Sequence, residues 1–201
     1  MTALDPALIV RACVLLRAGG VVAYPTDTFY GLAADPRNPH AVARLFAIKG
    51  RAAGQAIPLI AADEAQAAQA ARMDARAMRL SQAFWPGPLS LVLPASSVIC
   101  QDAKAADGSI AVRVPASDAA RAIARAFGFC ITATSANPSG EAAMTSAAAV
   151  TESLGGVLDL VLDGGDTPGG APSTLVDPRG ETPRLVRAGA IAWDRVLRSI
   201  E

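Results

Sequence analysis

The chain has 201 residues, 18 basic against 18 acidic side chains, and 52% hydrophobic residues. That is enough apolar surface for one medium domain with a sizeable core, which excludes bulk disorder, and zero net charge excludes a chain that binds nucleic acid through overall positive charge. Arg, Asp, Gly or Pro cuts every apolar run short of the roughly 20 residues that span a bilayer, and MTALDPALIVRACVLLRAGG lacks the basic start of a secretory signal, so a cytoplasmic protein with no membrane segment is expected.

Asp5 and Pro6 open a helix with Ile9, Cys13 and Leu16 at helical spacing, and Gly19-Gly20 closes it. VVAY, residues 21–24, reads as a short buried strand. Asn38-Pro39 starts a second helix with Val42, Leu45 and Phe46 on one face and Gly50 at its end. Residues 57–61 fit a strand, two alanine-rich helices run to about Phe84, and Pro86-Gly87-Pro88 breaks the pattern before a strand at 89–93. A loop over 95–108 precedes the strand IAVRV, 110–114, which Pro115 stops. Ser117 or Asp118 caps a helix to Phe127, FCITA (129–133) is a strand, and Thr145 caps a helix to Leu154 after the turn-rich TSANPSGE. Strands at 158–162, 174–177 and 184–187 surround the loop DGGDTPGGAPS, and 190–200 is a closing helix. This alternation predicts an α/β fold, a parallel or mixed sheet covered by helices, as one domain over 1–201.

Four polar turns follow strand or helix ends: PTDTFYG, KGRAAG, TSANPSGE and GGAPSTLVD. Ligands of open α/β sheets sit where such loops converge. Lys49 and Arg51, around Gly50, are either a simple pair of cations at a helix C-terminus or a point charge and a planar fork for adjacent phosphates. Ser135 and Asn137 are either an Asx-type turn or anion and ribose ligands. Arg113, inside an apolar strand, either reaches solvent at a sheet edge or meets an anion. The sequence holds neither a P-loop nor a G-x-G-x-x-G motif.

Cys13, Cys100 and Cys130 are odd in number and far apart, which favours buried free thiols over disulfides or structural zinc. His40 is the single histidine, at a helix start, and reads as a surface residue; a Ser-His-Asp hydrolase or a His-ligated zinc enzyme would rest on that one ring. Asp27, Asp35, Asp163 and Asp166 lie in turns that carry Asp for conformational reasons, and no protein metal site is expected.

YPTDTFYGL (24–32), IKGR (48–51), FWPGPLSLVL (84–93), IAVRVP (110–115), TSANPSG (134–140), PSTLVD (172–177) and RLVRAGAI (184–191) resemble, in order, the signature segments of the YrdC/TsaC family, the threonylcarbamoyl-AMP synthases. The resemblance implies a twisted mixed sheet flanked by helices with a large concave cavity, in the single-domain form of the family. It implies a nucleotidyltransferase that joins L-threonine, bicarbonate and ATP into threonylcarbamoyl-AMP and pyrophosphate, for the t6A base of tRNA. Thr28, Arg113 and Ser173 would then contact threonine, with Arg113 facing its carboxylate. Lys49, Arg51, Ser109, Ser135, Asn137 and Arg187 would hold ATP, with Lys49 and Arg51 the residues that carry catalysis. Mg²⁺ would arrive with ATP, no organic cofactor is implied, and the product would pass to a threonylcarbamoyl-transferase complex. Two departures from the family pattern are Ala52, where a proline usually follows KGR, and the absence of the usual histidine near Ile60. A different contact to the amino acid is expected there. The alternative function is a module of the same fold that binds double-stranded RNA or tRNA, in RNA or ribosome maturation. A carbamoyl-transfer domain like that of hydrogenase maturation factors is a further rival.

Overall fold

The computed structural model describes residues 4–50 and 56–200. Helix α1 (Pro6–Arg17) starts where the Asp5 carboxylate accepts the Ala7 amide, and it buries Ala12, Cys13 and Leu16. It leads into β1 (Val22–Pro25), which turns back into β2 (Tyr30–Ala33). Helix α2 (Pro39–Lys49) is capped by Asn38, whose side chain accepts from His40 and Ala41, and it ends at Gly50 in the left-handed conformation at φ 58°. Then come β3 (Leu59–Ile60), α3 (Glu64–Ala70), α4 (Ala75–Phe84), β4 (Leu89–Pro94) and β5 (Ser109–Arg113). Helix α5 (Asp118–Phe127) takes Ser117 rather than Asp118 as its cap and packs Ala120, Ile123 and Phe127 inward. The chain finishes with β6 (Ile131–Thr132), β7 (Thr134–Ser135), α6 (Ala147–Leu154), β8 (Leu160–Val161), β9 (Thr174–Asp177), β10 (Arg184–Arg187) and α7 (Trp193–Arg198).

The fold is mixed α/β, and its ladders form two sheets, ordered β7-β2-β1-β8 and β10-β9-β4-β5-β3-β6. Both are mixed: β1 pairs antiparallel with β2 and parallel with β8, while β5 pairs antiparallel with β4 and parallel with β3. A single hydrophobic cluster runs through both. The sheets are sewn together at Thr132, which is fully buried. Its amide donates to the Ala34 carbonyl at 3.1 Å, its hydroxyl donates to Leu32 O at 2.9 Å and accepts from the Ala34 amide at 2.8 Å, and its carbonyl accepts the Tyr24 hydroxyl at 3.0 Å. Two residues later the chain has left the larger sheet and pairs with β2 as β7.

Four elements differ from the sequence reading. Strand β2 overlaps the polar segment PTDTFYG and the two-residue β7 the turn-rich TSANPSGE, both read as turns; β2 forms a local hairpin with β1, and β7 becomes a strand by pairing with β2, far back in the chain. Helix α6 is capped by Ser146, not Thr145; the Thr145 carbonyl instead accepts the Thr167 amide at 2.8 Å. The last helix starts at Trp193 and not at 190, because Ala190 donates to Pro172 O at 2.9 Å and Ile191 donates to the Thr174 hydroxyl at 2.9 Å. Gly189 makes that approach feasible, since a Cβ there would lie 2.3 Å from Pro172 O. Cys13 and Cys130 are buried free thiols and Cys100 is half-buried, and His40 is exposed. Among the described residues no helix is long and apolar enough to cross a membrane.

Replacing Thr132 by Val keeps the shape and removes the hydroxyl, leaving the Leu32 carbonyl and the Ala34 amide buried without that partner. The expected loss is about 2–4 kcal/mol in urea unfolding, and Thr132→Ser, which keeps the hydroxyl, should lose much less.

Candidate active site

The seam between the sheets opens into a cavity of about 610 Å³, within the roughly 300–1,000 Å³ range of small-molecule sites. Strand periodicity builds its floor. Alternate residues Ser109, Ala111 and Arg113 of β5 line it, joined by Ile110, as do Ser90 and Val92 of β4, Ser173 just before β9 and Leu175 within it. The intervening Leu89, Leu91, Val112 and Val176 are buried in the core. The β1–β2 turn supplies Thr26 and Thr28, β7 supplies Thr134 and Ser135, and the end of β10 supplies Arg187.

Arg113 is nine-tenths buried, and the two alternatives open for it resolve to an anion: its Nη1 donates to Asp27 Oδ2 at 2.9 Å. Asp27 sits in the β1–β2 turn, so this pair joins the two sheets across one end of the cavity. Within the turn the Thr26 hydroxyl donates to the Phe29 carbonyl at 2.7 Å and lies 3.4 Å from the Thr28 hydroxyl. Arg187 Nη2 donates to the Ser173 carbonyl at 2.8 Å and to its hydroxyl at 3.1 Å. Desolvation at the wall, and secondarily the charge of Arg113, draw the Arg187 guanidinium below its ordinary pKa. Ser173 Oγ lies 2.9 Å from Ser90 Oγ. Ser90 is therefore a site residue that sequence reading missed, although its place in the alternation of LSLVLP was a usable signal.

Lys49 is 5% exposed and points into the TSANPSG loop. Its ammonium donates to Ser135 O at 2.7 Å, Asn137 O at 2.6 Å and Asn137 Oδ1 at 3.0 Å, while its own carbonyl accepts the Ser139 amide at 2.9 Å. The Asn137 amide group donates to Glu141 O at 2.6 Å. Lys49 and Asn137 thus shape the loop that carries Ser135 to the cavity wall, and neither side chain is part of that wall. Thr28, Ser109, Arg113, Ser135, Ser173 and Arg187 are brought together around the one cavity, and Arg51 lies outside the described residues.

Ser109 is oriented from behind. Its hydroxyl and amide donate to Asp107 Oδ1 at 2.6 and 3.0 Å, and Asp107 Oδ2 accepts from Arg179 at 2.9 Å. Arg179 also clasps Asp177 at 2.8 and 2.9 Å, and Arg184 joins Asp177 at 2.7 Å, which ties the β4–β5 loop to the β9–β10 hairpin. The two Ser109 donors, then Arg179, hold Asp107 at about 2. Arg179, then Arg184, outweigh burial and depress Asp177 further. Among the described residues no group of His, Cys, Asp or Glu is placed to hold a metal ion.

Two outcomes follow from these contacts. Lys49→Met leaves three loop acceptors without their charged donor, and roughly 2–4 kcal/mol of stability should be lost in chemical denaturation. Both carboxylates have pKa values depressed by folding, so their contribution is present above the unfolded carboxylate pKa of about 4 and is lost as pH falls toward about 2. Urea midpoints between pH 5 and 2 should drop less steeply in Asp107→Asn than in the parent.

The family model Sua5/yciO/yrdC, described as "Telomere recombination", matches residues 14–189. The chain is 43% identical over 160 residues to the threonylcarbamoyl-AMP synthase of Halorhodospira halophila, covering 79% of this chain and 84% of that one. It is 37% identical over 186 residues to the threonylcarbamoyl-AMP synthase of Pyrococcus abyssi, covering 92% of this chain and 55% of the relative, so it spans about half the length of that protein. The crystal structure of P. abyssi Sua5 complexed with L-threonine superposes with a TM-score of 0.91 at 36% identity, over 98% of this chain and 58% of that one. E. coli YciO matches over 100% of this chain and 97% of its own, with a TM-score of 0.86 at 26% identity. The chain belongs to the Sua5/YciO/YrdC family.

Proposed function

We propose that this chain is a threonylcarbamoyl-AMP synthase, condensing L-threonine, bicarbonate and ATP to threonylcarbamoyl-AMP and pyrophosphate for t6A formation in tRNA. The observation that carries this reading is the convergence of hydroxyl groups and two guanidiniums, Arg113 and Arg187, on one cavity of about 610 Å³. Relatives named for this activity, one of them solved with L-threonine, support it.

In this reading Arg113, Thr28 and Ser173 hold the amino acid, with its carboxylate on the guanidinium edge that Asp27 does not occupy. Arg51, Arg187, Ser109 and Ser135 meet ATP, and Lys49 with Asn137 holds the loop beneath it and adds positive field. The threonine amine attacks bicarbonate to give a carbamate with loss of water. A carbamate oxygen then attacks the α-phosphorus, and pyrophosphate departs. No residue becomes covalently attached. Side chains lower the barrier by placing three small reactants together and by offsetting charge on the phosphates, and the transfer of the adenylyl group to the carbamate makes the enzyme a nucleotidyltransferase. Mg²⁺ enters as the MgATP complex. The product passes in the cytoplasm to a threonylcarbamoyl-transferase complex that acts on tRNA, and residues 1–201 act as one YrdC-like domain.

Labelled bicarbonate should appear in an adenylate only when threonine and ATP are both present; incorporation that ignores threonine would refute the reading. Arg187→Ala should raise KM for ATP by about 10–100-fold, the worth of one charge-assisted contact, with little change in KM for threonine.

A further inference from the structure

Asp27 is the charged residue that the proposed substrate contacts leave unassigned. Its Oδ2 accepts from Arg113 at 2.9 Å and from the Ala116 amide at 3.3 Å, while its Oδ1 is buried without a hydrogen-bond partner, the one such side-chain atom among the described residues. A buried carboxylate oxygen left unsatisfied is a cost that packing alone does not explain.

Two arginines elsewhere in this protein hold a carboxylate with two nitrogens, while Arg184 holds Asp177 with one. Arg37 puts Nε and Nη2 on the two oxygens of Asp35, and Arg179 does the same to Asp177. Arg113 gives Asp27 only Nη1. A guanidinium has five N–H donors in a planar fork, so this contact leaves the rest of the fork to a second anion in the cavity that Arg113 lines. Among the described residues no carboxylate lines that cavity, and Asp27, directly behind Arg113, is the nearby negative charge.

A guanidinium alone favours any carboxylate, and an ammonium group beside that carboxylate is repelled by it. With an anion 2.9 Å away the subsite becomes dipolar, which suits a molecule that carries both charges on one carbon. We propose that Asp27 is a positioning and selectivity residue: by fixing one edge of Arg113 and setting a negative charge beside it, it makes the subsite prefer a zwitterionic α-amino acid to an acid that lacks the ammonium group. This rests on the amino-acid reading of Arg113 given above.

The test is calorimetric titration of L-threonine and of its des-amino analogue 3-hydroxybutyrate into the parent protein and Asp27→Asn. The parent should bind threonine at least ~10-fold more tightly than the analogue. In Asp27→Asn, threonine affinity should fall by at least ~10-fold while that of the analogue holds or rises. An equal loss for both ligands, which a merely structural role would give, or unchanged threonine binding, would overturn the proposal. If Asp27→Asn fails to fold, the parent decides alone, and equal affinity for the two ligands overturns it. Failure of the parent to bind threonine with or without ATP would instead overturn the amino-acid reading of the cavity.

Discussion

A guanidinium that is nine-tenths buried needs an anion, and the way Arg113 meets that need organises the site. Its partner comes from the other sheet. Asp27 lies in the β1–β2 turn and Arg113 at the end of β5, so a single 2.9 Å contact ties both sheets to one wall of the cavity. Removing one member of such a pair costs on the order of 3–5 kcal/mol, because the other charge stays buried. The turn also carries Thr28, and β5 also carries Ser109 and Ala111, so the pair fixes the distance between two walls of the cavity. Thr132 does the corresponding work at the seam, with neutral hydrogen bonds in place of charge.

The cations fall into two physical roles. Lys49 and Arg179 are spent on the protein itself: the first gathers carbonyls of the 134–139 loop, and the second locks the β9–β10 hairpin to Asp107 and Asp177. Arg113 and Arg187 stand at the wall of the cavity. Preorganised charge of this kind lowers a barrier because no reorganisation is needed when charge develops on the reactants. The anchoring cations support the cavity wall, since Arg187 extends from the strand that Arg184 and Arg179 anchor through Asp177.

Much of this was legible in the sequence, for identifiable reasons. Caps at Asp5 and Asn38 and the glycine stop at Gly50 mark helices by local chemistry and lie where the pattern puts them, and of the two cap candidates for α5 it is Ser117 that caps. Strands β2 and β7 were not legible, because YGLA is short and follows directly on a polar turn, and TS becomes a strand only by pairing with β2, far back in the chain. The same division holds at the site. Arg113 stood out as a charge in an apolar strand, and its membership of the cavity follows from that oddity. The destination of the Lys49 ammonium did not, since a lysine at a helix end is compatible with solvent, phosphate or, as here, a neighbouring loop. Ser90 hid because a small polar residue in a strand is unremarked until the facing Ser173 is placed 2.9 Å away.

The central claim is that the open edge of Arg113 is a carboxylate receptor held in place by Asp27. A crystal structure of this chain grown with L-threonine tests it most directly. The threonine carboxylate should lie within hydrogen-bond distance of the Arg113 guanidinium, in the cavity bounded by Thr28 and Ser173, with the Arg113–Asp27 contact intact. Threonine bound elsewhere, or Arg113 swung away from Asp27 with its carboxylate unengaged, would contradict the account.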